Sequence, residues 1–297
     1  MKRILITGGR GGIGRSLTEA LVSSSENQVI TLGRRTPSPS TCSRVIHYEG
    51  SILDTGLLIE LLLNHKITHL IHAAGARTSE FALDPLTGFE ANVLGTDQVF
   101  RAALQCPTLE QLIHFSTAAV YGGHQTCPDE SAPLAPATPY AISKAASEMA
   151  VQGHAGSALF STVILRPGFV LGPYSHSALS TFITNAITEE KAALSFPDRF
   201  FLHWAPDLAA AVCALLNNEL SGSFEVLHPP GKATSLSALH DVLIDYCRGQ
   251  EHSPAISLSA IEDTPFPERL NPSKFTDLVG ASHSTEWGEI LERLSTS

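Results

Sequence analysis

Tyr140 precedes Lys144 by four residues in the run PYAISKAASEM, 139–149. Helical geometry stacks residues i and i+4 on one face, one turn apart. A lysine so placed sets positive charge beside a phenol oxygen, which favours the phenolate and draws the tyrosine down from its ordinary value of about 10. Such a tyrosine can donate or accept a proton at a substrate oxygen. Two residues at this spacing also arise by chance, so the pair needs a cofactor site and a partner group elsewhere in the chain.

A cofactor site is suggested at the amino end. The run ILITGGRGGIGRSL puts Gly8, Gly11 and Gly14 directly after a hydrophobic strand and at the start of a helix. Glycine permits a tight turn and close backbone approach to a pyrophosphate, and the helix start adds unpaired N–H groups and a positive dipole end. Dinucleotide folds often place Asp or Glu at the end of the second strand, to bind the adenosine ribose. Here ITLGRR supplies Gly33, then Arg34 and Arg35. Two guanidinium groups suit a 2′-phosphate, and Arg10 in the glycine loop can reach the same group. NADP(H) is therefore favoured, with NAD(H) as the alternative.

The elements that must hold these groups alternate in type. Apolar, β-branched runs predict strands at 3–6, 28–32, 44–48, 69–72, 112–115 and 162–165, with helices at 14–23, 57–65, 85–105 and 139–152 between them. Strand–helix alternation predicts an α/β fold, a doubly wound parallel-sheet Rossmann core over 1–167, with a returning strand at 224–228. Beyond Pro167, frequent prolines break the rhythm. Residues 168–223 and 229–297 are expected to form a smaller, loop-rich C-terminal substrate-binding lobe. The polar segment 34–44 is expected to be a loop.

Composition narrows the function. A 297-residue chain with 43% hydrophobic and 16% charged residues suits a globular protein of one large core or two domains. A net charge of −10 argues against nucleic acid as a partner, because such binding wants a basic face. The five cysteines (Cys42, Cys106, Cys127, Cys213, Cys247) are scattered and odd in number, so neither structural zinc nor a disulfide framework is expected, and a reducing, cytoplasmic setting fits. The thirteen histidines form no HExxH pattern, and no metal is expected. No apolar run is long enough for a signal peptide or a membrane span.

Taken together, the motifs TGGRGGIG (7–14), HAAG (72–75), NVLGT (92–96), STAAVYG (116–122), YAISK (140–144) and RPGFVLGP (166–173) resemble the extended short-chain dehydrogenase/reductase family, also called the NAD(P)-dependent epimerase/dehydratase family. The resemblance is strong over 1–173 and weaker beyond. It implies that Tyr140 and Lys144 are the catalytic pair and Thr117 the third catalytic hydroxyl, with Ser116 as runner-up. It implies a pyrophosphate loop of Gly8, Gly11, Gly12 and Ile13. Ala73 and Ala74 would line the cofactor, and Arg77 would face its phosphates. Ser51 and Ile52 would contact adenine, Pro167 and Gly168 would lie near the nicotinamide, and Lys144 would also bind the nicotinamide ribose. Asn92 matches an asparagine of the central helix, where a helix-kinking or strand-tethering role has at least as much support as a catalytic one. The long helices 85–105 and 139–152 imply a homodimer paired through a four-helix bundle.

Departures from the family pattern carry information. Its dehydratases place Asp-Glu after the catalytic threonine; Ala118 and Ala119 stand there, and neither can move a proton. Many of its nucleotide-sugar epimerases have an asparagine after the sixth strand, where Phe169 stands. Ser51 replaces the usual adenine-contacting Asp. The expected function is an NAD(P)-dependent oxidoreductase that interconverts a secondary alcohol and a ketone on a sugar-like or small polyol metabolite. The alternatives are a nucleotide-sugar epimerase with retained NAD and a non-catalytic cofactor-sensing protein.

Overall fold

Apolar runs of four to six residues become the strands of one parallel sheet. The computed structural model describes residues 1–23, 26–34, 43–218, 220, 223–262, 264–280 and 284–296. In chain order the strands are β1 (Arg3–Thr7), β2 (Gln28–Gly33), β3 (Val45–Glu49), β4 (His69–His72), β5 (Gln111–Phe115), β6 (Ser161–Leu165), β7 (Phe169–Leu171), β8 (Lys191–Pro197), β9 (Arg199–Trp204), β10 (Phe224–Leu227), β11 (Lys232–Ser235) and β12 (Ala255–Ile261). The helices are α1 (Gly12–Ser23), α2 (Thr55–Asn64), α3 (Thr78–Leu83), α4 (Pro85–Phe89), α5 (Gly95–Ala103), α6 (Pro139–Ala155), α7 (Ala178–Thr188), α8 (Ala205–Leu215), α9 (Leu236–Gly249), α10 (Ser273–Val279) and α11 (Trp287–Ser295).

The main sheet runs β10-β6-β5-β4-β1-β2-β3, with every neighbouring pair parallel. Side chains alternate across it. Ile4 and Ile6 of β1 share one face with Val29, Ile71, Ile113 and Val163, under Leu17 and Leu21 of α1 and Leu208 and Val212 of α8. Leu5 shares the other with Ile30, Leu70, Leu112 and Ile164, under α2 (Leu58, Leu62), α5 (Val99, Phe100) and Val151 of α6. A sheet covered on both faces needs such apolar strands, and full burial of each leucine or isoleucine contributes about 1.5–3 kcal/mol. The chain winds outward from β1 through β2 to β3, then crosses to the other side of β1 with β4. The connections diverge at that point, and in parallel sheets of this kind ligands bind in the crevice outside the carboxyl ends of the strands beside such a point.

Two expectations need correction. The single helix expected over 85–105 is interrupted. Pro85 opens α4 with Asp84 as its cap, and residues Glu90–Leu94 form a wider π-type turn before α5. Proline disfavours helix in the residue before it, which separates α4 from α3. The second half is also more regular than a loop-rich lobe. A sheet of β11-β9-β7 and a parallel β12-β8 pair share a core with α7, α9 and α11. Several prolines fall where strands and helices begin or end: Pro197 closes β8, Pro206 lies in the first turn of α8 and Pro272 caps α10. Moreover α8 and Phe275 of α10, expected in the lobe, pack on the main sheet.

Candidate active site

Helix α6 begins at the Thr138 cap, whose hydroxyl accepts from Ala141 N at 3.2 Å, with Pro139 in its first turn. Its inward stripe is polar. Tyr140, Lys144 and Glu148 follow one another at turn spacing and meet three successive residues at the end of β5. The Thr117 hydroxyl lies on the Tyr140 phenol's side and favours its ionised form. Lys144 Nζ donates to the Phe115 carbonyl at 2.5 Å. The Glu148 carboxylate accepts from the Ser116 hydroxyl. Thr117 Oγ1 accepts from Ala119 N at 3.2 Å. The Tyr140 ring packs edge-on against Phe81 of α3, centroids 6.0 Å apart.

Burial dominates the electrostatics. It lowers Lys144 from 10.5 to about 8, with the Glu148 charge opposing. It raises Tyr140 above 10.0, with the Thr117 hydroxyl opposing. The expected lowering of the phenol by Lys144 is thus replaced by a contribution from Thr117, because the ammonium is anchored on the strand carbonyl. His72 of β4 and His114 of β5 stack at 5.1 Å beside this stripe. Burial, then the Lys144 charge, pushes His72 down to about 3 and His114 well below its ordinary value, so both are neutral. Thr96 Oγ1 donates to the Asn92 carbonyl (2.6 Å) and so accepts from His72 Nε2 (3.0 Å), leaving Nδ1 to accept from Thr7 (2.7 Å).

Asn92, buried in the π-type turn, accepts from Ala76 N at 2.7 Å and donates to the Ala76 carbonyl at 3.2 Å and to Ser143 Oγ at 2.9 Å. It therefore tethers the loop after β4 to α6. Ser116 belongs to a different set of contacts from Tyr140. Its partner Glu148 is gripped by Arg166, with Nη2–Oε2 at 2.6 Å and Nε–Oε1 at 3.0 Å. Arg166 Nη1 donates to Tyr121 Oη at 2.6 Å, and that hydroxyl reaches His228 Nε2 at 2.7 Å. Sequence reasoning missed Glu148 and Arg166. The one available signal was the position of Glu148 four residues beyond Lys144.

The glycine loop is built for close approach. Gly8 adopts φ +73°, and a Cβ there would lie 2.7 Å from the Ala74 backbone. A Cβ at Gly14 would lie 2.2 Å from the Gly8 carbonyl oxygen. Gly11 N closes the turn onto Gly8 O at 2.9 Å. Gly12 opens α1 and approaches Tyr174 O, at 3.1 Å from where its Cβ would be. Ile13 and Ala73 pack against the core beneath. This backbone cradle at a helix start fits the pyrophosphate of a dinucleotide.

The other residues expected at a cofactor follow the carboxyl ends of the strands. The stem of Arg10 lies over Gly33 at the end of β2, its Cγ 3.7 Å from a Cβ built there. Ser51 Oγ accepts from Leu53 N at 3.1 Å, and Ile52 lies on Gly95 of α5. The Pro167 carbonyl accepts from Ala118 N at 2.7 Å, and Gly168 N donates to His203 Nε2 at 2.9 Å, which seats both at the carboxyl end of β6. Arg34 and Arg77 both pair with Glu80. Arg35 lies outside the described residues. Among the described residues no His, Cys, Asp or Glu group could hold a metal ion, and no helix is long and apolar enough to cross a membrane.

Residues 4–226 match the NAD dependent epimerase/dehydratase family. The chain is 33% identical over 147 residues to the UDP-glucose 4-epimerase of Halalkalibacterium halodurans, covering 49% of this chain and 44% of that protein. It is 31% identical over 239 residues to the human dTDP-D-glucose 4,6-dehydratase, covering 74% of this chain and 67% of that one. The matched region thus spans about half to two thirds of these relatives. Among solved structures, UDP-glucuronic acid 4-epimerase from Bacillus cereus, in complex with UDP-glucuronic acid and NAD, aligns at TM-score 0.84 and 22% identity over 99% of this chain and 98% of that one. A putative epimerase from Burkholderia cenocepacia aligns at TM-score 0.85 and 20% identity over 100% and 99%. At these identities the likeness is one of fold.

Proposed function

The chain belongs to the NAD dependent epimerase/dehydratase family, and we propose that it is an NAD(P)-dependent enzyme acting at a secondary alcohol or ketone carbon through Thr117, Tyr140 and Lys144. One observation carries the reading: α6 brings Tyr140 and a buried Lys144, one turn apart, to the carboxyl end of β5, where Lys144 Nζ bonds the Phe115 carbonyl two residues before Thr117. The bound dinucleotide supplies or takes up the hydride. Tyr140 exchanges the proton at the substrate oxygen, Thr117 orients that oxygen, and Lys144 holds positive charge at the end of the strand. A phenol raised by burial is a proton donor at neutral pH, which supports reduction of a ketone as the direction served by these residues alone.

This reading disfavours dehydration. Ala118 and Ala119, buried in a single 3₁₀ turn, stand where a proton-abstracting pair would be needed. Between net redox and epimerisation with retained cofactor, Phe169 favours the first on a sugar-like or polyol substrate. Its ring packs against Phe196 at 4.5 Å and Phe266 at 4.4 Å, an aromatic cluster at the position where many of the family's nucleotide-sugar epimerases have an asparagine. The UDP-glucose 4-epimerase relative supports the second. Arg10 and Arg34 at the end of β2 support NADP(H), while the family's name speaks of NAD. A homodimer fits the apolar side chains that α6 and its neighbouring helical segment leave exposed, Ile142, Met149, Leu86 and Leu94.

The test is a panel of ketones and secondary alcohols followed at the cofactor absorbance, with wild type and Tyr140→Phe. Turnover should fall at least ~100-fold in the variant while dinucleotide affinity is kept. Near-normal turnover would refute the assignment. An epimerase would show bound cofactor without net consumption.

A further inference from the structure

Arg34 follows β2 directly, and Arg77 caps α3 in the connection leaving β4. Strand β1 lies between β2 and β4, so the two arginines flank the carboxyl end of β1 from opposite sides. Glu80 joins them. Its Oε1 lies 3.2 Å from Arg34 Nη2, and its Oε2 lies 3.4 Å from Arg77 Nε and accepts from Arg77 N at 2.8 Å. Burial pushes this carboxyl up; the Arg77 amide and the two guanidinium groups outweigh it and hold the group below its ordinary value.

We propose that Glu80 sets the discrimination between NADH and NADPH, because its carboxylate occupies two guanidinium groups that would otherwise clamp a 2′-phosphate. The inference rests on the dinucleotide site proposed above. Gly33 leaves the end of β2 without the acid that commonly accepts ribose hydroxyls, and Glu80 brings a carboxylate there from α3. A 2′-phosphate and this carboxylate have the same sign and compete for the same arginines. The arginine side chains are 70% and 63% exposed, so their pairs with Glu80 are weak and exchangeable. Discrimination is then a contest of charges at the mouth of the crevice. A fixed ribose-binding acid at the strand end, as in a simple NAD site, plays no part.

The experiment is equilibrium binding of NADH and NADPH to the full chain, at low and high salt, in wild type, Glu80→Gln and Arg34→Gln. Glutamine retains an oxygen for the Arg77 amide, so the start of α3 is preserved. In Glu80→Gln the preference for NADPH over NADH should rise about fivefold or more, the gain shrinking at high salt. Arg34→Gln should move the preference toward NADH. A preference in Glu80→Gln within about twofold of wild type, or moved toward NADH, overturns the inference. If wild type binds neither dinucleotide, the proposed function falls and takes this inference with it.

Discussion

Lys144 Nζ donates to the Phe115 carbonyl oxygen at 2.5 Å, so the buried ammonium is anchored to the last residue of β5, two residues before Thr117. The lysine thereby registers α6 against β5. Its burial also has a thermodynamic signature that can be measured.

Between about 8 and 10.5 the unfolded chain keeps the Lys144 proton that the folded chain releases. The unfolded state then binds more protons, so stability attributable to this group rises with pH through that window and is lowest below pH 8. Full passage corresponds to about 3 kcal/mol. Urea unfolding of wild type and Lys144→Met from pH 7 to 10 should show that rise only in the wild type. Parallel pH profiles would contradict the burial of a charged lysine.

Acid should destabilise the fold earlier than carboxylate chemistry alone would. Burial lowers His72 to about 3, His69, His203 and His228 to about 4, and His114 well below 6.5. From pH 6.5 downward the unfolded chain takes up protons that these rings refuse. Stability therefore falls as pH falls, by up to about 1.4 kcal/mol per pH unit for each histidine, until the folded values are reached. Denaturant midpoints between pH 7 and 4.5 would check it; a flat profile there would show that these rings are accessible to protons.

The Glu148–Arg166 pair is almost fully buried, with side chains 4% and 7% exposed. Glu148→Ala leaves a guanidinium without its counter-ion and should cost about 3–5 kcal/mol. Replacing both residues, as Glu148→Leu with Arg166→Met, should cost clearly less than the sum of the two single changes. Chemical denaturation of the four proteins measures the coupling, and additive costs would show that the two charges do not depend on each other.

Two glycines of the same loop should answer differently to alanine. At Gly14 a Cβ would meet the Gly8 carbonyl oxygen at 2.2 Å and the Gly9 Cα at 2.6 Å, backbone atoms that cannot give way. At Gly11 the nearest atom, Gly8 O, is 3.3 Å away. Gly14→Ala should lower stability by more than ~2 kcal/mol, whereas Gly11→Ala should change it by less than ~1 kcal/mol and act chiefly on dinucleotide affinity. Thermal unfolding and dinucleotide titration separate the two effects. Equal stability losses would show that the loop yields at both positions.

Much of this protein was readable from local pattern. Apolar runs marked the strands, and the spacing of Tyr140 and Lys144 put both on one side of α6, because helix and strand geometry repeat with fixed periods. The glycines after β1 were legible because strand, turn and helix are contiguous there. Where local signals competed, the reading was coarser: it ran one helix from Pro85 through the π-type turn at Asn92.

The sequence by itself determined the parallel α/β core, the glycine turn and the placement of Tyr140 and Lys144 one turn apart on α6, since each depends on neighbours within a few residues. Only the tertiary structure decided partners and charge states. Arg34 meets Glu80 across 46 residues, and Arg166 meets Glu148 across 18, because strand order and packing bring them together. Lys144 turned to a strand carbonyl and Tyr140 to Thr117 for the same reason. Desolvation is a property of the assembled core, and no run of residues expresses it before the sheet and helices have closed around the side chain.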